Sequence, residues 1–279
     1  MKRLILIVAL FTVSNLYVSA QGSQEFSVYV GGGFSPLSYT LSLDKFSQGE
    51  RSGGLGGDFG VGYTYFIADT WGIHSGVGIG FYNAKTEVGV GETVSKNLID
   101  DEGDSFELRS TISGYNETQN TMFLTIPVMA HFILMDKFYT KAGIKAAIPL
   151  NCKYSSNDLK ITNEGYYPQF NNTINDAKYA GFGQFDIKDS KGNLELGFTV
   201  MLALEAGMRF NISETLSLYT GLYFDYGLNN SLKKSSTDTF VSYNINDPEN
   251  FSTNSVLTEY TDKANIMAVG VKVRVAMGR

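Results

Sequence analysis

The hydrophobic alternation of this chain is inverted relative to a water-soluble protein. Residues 194–210 read LELGFTVMLALEAGMRF. Every second residue from Leu194 to Phe210 is apolar, and the positions between them include Glu195, Thr199, Glu205 and Arg209, with small Gly197, Ala203 and Gly207. A period of two is the period of a strand. The apolar face is continuous and bulky, whereas the other face is charged and small. Such a polar face cannot fill the core of a soluble barrel. Apolar residues outside and charged residues inside suit a strand that crosses a bilayer.

Eight segments read this way, near 26–34, 55–67, 71–83, 121–134, 137–148, 194–210, 215–228 and 264–277. In the last, Met267, Val269, Val271, Val273 and Val275 alternate with Gly270, Lys272 and Arg274. Connections alternate too. Ala68–Thr70, Met135–Asp136 and Asn211–Glu214 are tight, whereas 35–54, 84–120, 149–193 and 229–263 are long and polar. Tyr65, Trp71, Phe132, Phe138 and Phe210 lie beside the short turns, and Phe34, Phe81 and Tyr226 near the long links. Two aromatic belts at the strand ends are the mark of a membrane-spanning barrel. The expectation is an all-β, eight-stranded antiparallel transmembrane up-and-down barrel. Its short turns and both termini would be periplasmic, and its long loops extracellular.

The opening MKRLILIVALFTVSNLYVSAQG has a basic start at Lys2 and Arg3, an apolar stretch from Leu4 to Val13, and small residues before Gln21. This reads as a signal peptide over 1–20, followed by one barrel domain over 21–279. No Cys follows the cut, so a lipid-anchored form is not indicated. Cys152 stands alone, which excludes an internal disulfide, and falls in a stretch read as loop. The net charge of −6 gives no electrostatic support to nucleic-acid binding.

Parity sends Asp58, His74, His131, Lys141, Lys145, Glu195, Glu205, Arg209, Asp225, Lys272 and Arg274 into the lumen. Eight strands enclose a space that side chains fill. Charges of both signs in so narrow a space should pair, because an unpaired buried charge costs several kcal/mol. A plug of ion pairs is therefore expected, with a narrow pore as the competing reading. Catalysis has little support. A Ser–His pair on one face would read His-x-Ser, but His74 precedes Ser75 directly and His131 is followed two residues on by Ile133. No metal constellation or cofactor motif is visible. The acidic run Asp100, Asp101, Glu102, Asp104 and Glu107 lacks EF-hand spacing and reads as a solvated tip or a cation contact. Tyr166, Tyr167, Phe170, Tyr179, Phe182 and Phe185, set among Asn and Gly, read as a surface-binding loop or as aromatics that pack their own loop.

Leu124-Thr-Ile-Pro-Val128 before the Met135-Asp136 turn resembles the central-proline strand of the small outer-membrane barrels of Bacteroidetes, the PorT-like and OmpA/OmpX-like domains. Leu204-Glu-Ala-Gly-Met-Arg-Phe-Asn211, Leu216–Tyr223 and Asp225-Tyr-Gly-Leu-Asn229 are similar to the last hairpin of that domain. One departure is the C-terminus, Ala276-Met-Gly-Arg279, where many such barrels end in an aromatic residue. The resemblance implies the fold and an outer-membrane location, and the residues themselves read best as a non-enzymatic scaffold. It would contact lipid and lipopolysaccharide through the wall, and an envelope protein or surface ligand through the loops. An accessory factor of a secretion or uptake system is the alternative that the PorT likeness adds. A narrow pore or a lipid-modifying barrel enzyme follows.

Overall fold

The structure, a computed structural model, describes residues 23–41, 49–88, 92–233, 240–242, 247 and 252–278. The expected signal peptide, 1–20, lies outside the described residues. The strands are β1 (Gln24–Phe34), β2 (Leu37–Leu41), β3 (Gly49–Gly53), β4 (Leu55–Ala68), β5 (Trp71–Val88), β6 (Glu92–Ile99), β7 (Ser105–Ser113) and β8 (Asn116–Leu134). There follow β9 (Phe138–Tyr167), β10 (Asn172–Ile174), β11 (Gly183–Asn193), β12 (Thr199–Asn211), β13 (Leu216–Gly227), β14 (Val241–Ser242), β15 (Ser252–Thr253) and β16 (Thr261–Met277). One helical turn, α1 (Val256–Glu259), precedes β16.

Eight of these strands are hydrogen-bonded in a ring, in the order β1, β4, β5, β8, β9, β12, β13, β16 and back to β1, and every pairing is antiparallel. The alternation in the sequence sets the two faces. Along β16, Val269, Val271, Val273 and Val275 are exposed, while Lys272 and Arg274 are buried. Along β1, Phe26, Val28 and Val30 face outward and Glu25, Ser27 and Tyr29 inward. The exterior is thus apolar and the interior polar, as a wall in hydrocarbon requires. Trp71, Phe132, Phe138 and Phe210 are exposed at one end of the ring, and Phe34, Phe81 and Tyr226 at the other.

Local chemistry fixes the connections. Met135 and Asp136 both have positive φ, at 52° and 58°. They are the central residues of a turn over Leu134–Lys137, in which Lys137 N donates to Leu134 O at 3.3 Å, and a turn of this hand needs positive φ at both. Asp136 tolerates it, while Met135 is held there by the hairpin it closes. Pro127 sits mid-strand in β8. The pairing of β5 with β8 lapses between Ser75↔Val128 and Gly78↔Thr125, where proline has no amide to give. Ser23 and Gly278 lie at the short-turn end, bonded to Phe66 N at 2.9 Å and Thr215 O at 2.9 Å respectively.

The long connections differ from their expected form. They are not structureless loops, because half of the sixteen strands lie within them. β2 bonds to β16, β3 to β5, β6 to β7, and β7, β10 and β11 to the outer part of β9. β9 itself runs for 30 residues, from the short-turn end of the ring through the region expected to be loop. Cys152 is part of it and is buried.

Leu204 is 40% exposed in the middle of β12, next to buried Glu205. Leu204→Arg is expected to destabilise the folded chain by about 2–4 kcal/mol, the cost of a cation against the bilayer midplane. Leu204→Phe is expected to be nearly neutral. Denaturant unfolding in lipid vesicles, read by gel mobility without boiling, checks both.

Candidate functional site

The interior of the ring holds three separate groups of ion pairs, and buried Lys141, which has no anion within 4.0 Å among the described residues. Asp58 on β4 accepts from Lys272 at 2.8 Å and lies 3.8 Å from Lys145 on β9. Lys145 reaches on to Asp225 of β13 at 2.5 Å. Nearer the short turns, Arg274 meets Glu205 at 2.8 Å, and Tyr139 OH donates to the other oxygen of Glu205 at 2.8 Å. Lowest is Arg209, 3.7 Å from Glu25, whose carboxylate also accepts from Tyr219 OH at 2.9 Å.

Glycines in the wall make space for these groups. A Cβ at Gly31 would lie 2.3 Å from the Asp58 carboxylate and 3.0 Å from the Lys272 stem. A Cβ at Gly78 would strike Tyr29 OH at 2.2 Å. Among these groups lies a void of about 10 Å³ lined by Tyr29, His74, Glu205, Tyr223 and Arg274. That is room for about one water molecule.

Of the residues assigned to the lumen by parity, Asp58, His74, His131, Lys141, Lys145, Glu205, Asp225, Lys272 and Arg274 are buried there, and the side chain of Arg209 is 8% exposed. Glu195 is a correction. It is exposed, because the regular β12 begins only at Thr199 and the segment before it leaves the barrel wall. Leu194 and Leu196, expected to face lipid, are buried instead. The fourth inward anion is Glu25, one residue before the expected start of its strand. Its alternation with Ser27 and Tyr29 carried the signal. Thr64 Oγ1 and His74 Nδ1 are 2.9 Å apart. His131 is enclosed by the rings of Phe66, Tyr139 and Tyr219 at 5.2–5.9 Å. Among the described residues neither histidine hydrogen-bonds a serine, and no group of three or more metal-ligating side chains exists.

Above the charged layers the interior turns apolar. Leu37, Tyr39, Tyr82, Phe123, Met201 and Leu257 belong to one buried cluster at the mouth. Ile112, Tyr115, Ile161, Phe240, Val256 and Tyr260 form a second beyond it. Glu117, on the outer part of β8, ties these together. Its carboxyl group accepts from Ser255 Oγ at 2.5 Å, Val256 N at 2.9 Å and Gln119 Nε2 at 2.7 Å, and Tyr115 OH completes the set. Ser255 also caps α1 by accepting from Leu257 N. One buried side chain thus fastens the turn 255–260 over the mouth. It stands in a stretch read as loop, so parity gave no reason to single it out.

The aromatic set expected in the third loop separates into two kinds. Phe182 is buried edge-on against Phe106 at 5.7 Å, and Tyr167 stacks on Phe106 at 5.4 Å. Phe185 is half-buried on β11, and Tyr166 lies under the Arg109 guanidinium at 4.4 Å. Only Phe170 and Tyr179, of this set, stand well out of the surface, at 64% and 78% exposed. The acidic run is a turn closed on itself, with Asp100 Oδ1 accepting from Glu102 N and Asp104 N.

An apolar exterior, a ring of antiparallel strands and a charge-paired interior together define a membrane-embedded β-barrel. The outer membrane protein beta-barrel domain family matches residues 19–233, and the chain belongs to that family. It is therefore an outer-membrane β-barrel protein. No curated protein matches it. Among solved structures, a major outer membrane protein from Thermus thermophilus is similar at 14% identity and a TM-score of 0.40, over 91% of this chain and 99% of that one. OprG from Pseudomonas aeruginosa is similar at 13% identity and a TM-score of 0.35, over 94% and 99%. Ail of Yersinia pestis, in complex with the heparin analogue sucrose octasulfate, is similar at 10% identity and a TM-score of 0.30, over 93% and 99%.

Two outcomes follow from this geometry. Lys145→Met leaves Asp58 and Asp225 short of a cation and is expected to cost about 3–5 kcal/mol. Adding Asp225→Leu should recover part of that loss, as a double-mutant cycle in vesicles would measure. Burial lifts the Glu117 carboxyl above the usual glutamate range, and its four donors oppose this without cancelling it. The folded chain therefore holds this proton more tightly than the unfolded chain does. The opening free energy of 255–260, from hydrogen exchange corrected for intrinsic rate, should be highest below the usual glutamate pKa. It should fall as pH rises through the elevated value. Glu117→Gln is expected to flatten that dependence.

Proposed function

We propose that this chain is a non-enzymatic scaffold that displays a folded surface outside the cell. In this reading the mature chain, 21–279, is a single eight-stranded up-and-down transmembrane barrel. The short turns and both termini face the periplasm, and the long connections face outward. The wall contacts outer-membrane lipid and lipopolysaccharide. The observation that carries the reading is the filled interior: paired charges with room for about one water, under an apolar mouth. Charges packed this closely oppose a continuous aqueous path, and among the described residues neither histidine hydrogen-bonds a serine. Exposed Phe170 and Tyr179 at the tip, with the nearby turn Asp100–Asp104, offer contact area for an envelope protein or surface ligand. Aromatic side chains supply such area at low entropic cost.

Two measurements test the proposal. Purified protein in planar bilayers should give no steady conductance, and reproducible large channels would overturn the plug. Phe170→Ser with Tyr179→Ser should abolish any cell-surface interaction found, at unchanged folded amounts, because both side chains are exposed. His74→Ala with His131→Ala should preserve it. The reverse pattern would place function inside the barrel.

A further inference from the structure

The charges inside the ring do not balance. Lys141, Lys145, Arg209, Lys272 and Arg274 point inward, against Glu25, Asp58, Glu205 and Asp225. The ion pairs engage every one of these carboxylates and leave one cation over. That cation is Lys141, which is 2% exposed and has no anion within 4.0 Å among the described residues. A buried charge without a counter-charge is strongly unfavourable.

Register shows what surrounds it. Lys141 lies opposite His131 of β8 on one side and opposite Glu205 of β12 on the other. Side chains so placed leave their strands roughly 5 Å apart. Glu205 is already engaged. Arg274 reaches it from β16 at 2.8 Å, and Tyr139 OH donates to its other oxygen at 2.8 Å. The Tyr139 ring in turn meets His131 edge-on, with centroids 5.9 Å apart. Lys141, Arg274 and His131 therefore border one space.

The donors that face this space are unmet. Arg274 Nε and Nη1 are buried without a hydrogen-bond partner, and so are both ring nitrogens of His131. A guanidinium offers donors alone, as does an ammonium, and a neutral imidazole adds one N–H. Space limits what can answer them. The void of about 10 Å³ that borders Arg274, Glu205 and His74 has room for about one water molecule. Phosphate, sulfate and carboxylate groups are too large for it. A chloride ion exceeds water by only a few tenths of an ångström in radius. Water would accept from these donors but leave the excess charge standing, whereas a halide ion answers both.

We infer that the barrel encloses one chloride ion, held by the Lys141 ammonium with Arg274 and His131. The site does not depend on what the outer surface binds. Because the interior is closely packed, the ion is supplied during folding. The full chain is refolded from urea into lipid vesicles at fixed ionic strength, with chloride replacing gluconate stepwise, and the folded fraction is read by mobility without boiling. Above the dissociation constant, one bound ion raises the ratio of folded to unfolded chain about tenfold for each tenfold rise in chloride. Bromide should act as chloride does, and sulfate as gluconate does. Lys141→Met removes the excess charge and should abolish the response, with Lys141→Gln in its place if that variant does not fold. Crystals grown in bromide should show one anomalous scatterer beside Lys141 Nζ. A native chain indifferent to chloride, the result expected if Lys141 answers burial by shedding its proton, would overturn the inference. So would an equal response from the native chain and the Lys141 variant, or crystals without bromide beside Lys141.

Discussion

Every backbone amide and carbonyl that lies in hydrocarbon must find its partner within the protein, and the ring of antiparallel pairings answers that demand. The rest of the architecture follows from it. Eight strands closed on themselves leave an interior only side chains wide. Whatever points inward must fit, and most of its charge is paired, with Lys141 the exception among the described residues. Asp58 is shared by Lys272 and Lys145, Glu205 by Arg274 and Tyr139, and Glu25 by Arg209 and Tyr219. Gly31 and Gly78 concede the volume that these long side chains require.

Beyond the lipid the demand reverses, and a single strand shows the reversal. In its inner part β9 points Lys141 and Lys145 inward and Ile144 and Ile148 outward. In its outer part it buries Tyr154, Leu159 and Ile161 and turns Lys153, Asn157 and Lys160 to water. The same backbone is inside-out in the membrane and conventional above it. The two patterns are joined at the bulge around Leu150.

That joint explains what the sequence concealed. Within the membrane the alternation of Val269 to Val275 or Leu202 to Phe210 was unmistakable, and it sent ten of the eleven assigned inward residues to the interior. Outside, bulges shift the parity, and outward faces built of Thr, Asn, Ser and Lys look like loop. β7, β11 and the outer part of β9 were illegible for that reason, and so was Glu117. Glu195 was misplaced by extending a true alternation past its end at Thr199. Its partner segment, 231–233, is remote in sequence and left no local mark. The aromatic set of 166–185 was correctly seen as dense, but composition alone did not separate Phe182, which is core, from Phe170 and Tyr179, which are surface.

The length of β9 has a consequence for how such a surface can change over time. At about 3.4 Å per residue, its 30 residues extend roughly 100 Å. Wall and outer sheet therefore share one uninterrupted backbone. A one-residue insertion or deletion along it would exchange inward for outward side chains on one side of the change, unless a bulge absorbed it as one does at Leu150. The exterior of this protein is thus not a set of replaceable loops hung on a barrel. Changes of length cost least where the chain reverses, as at 100–104 and 168–182, or where a bulge takes up the extra residue. Diversification elsewhere along the strand proceeds by substitution, residue for residue, on the faces turned to water.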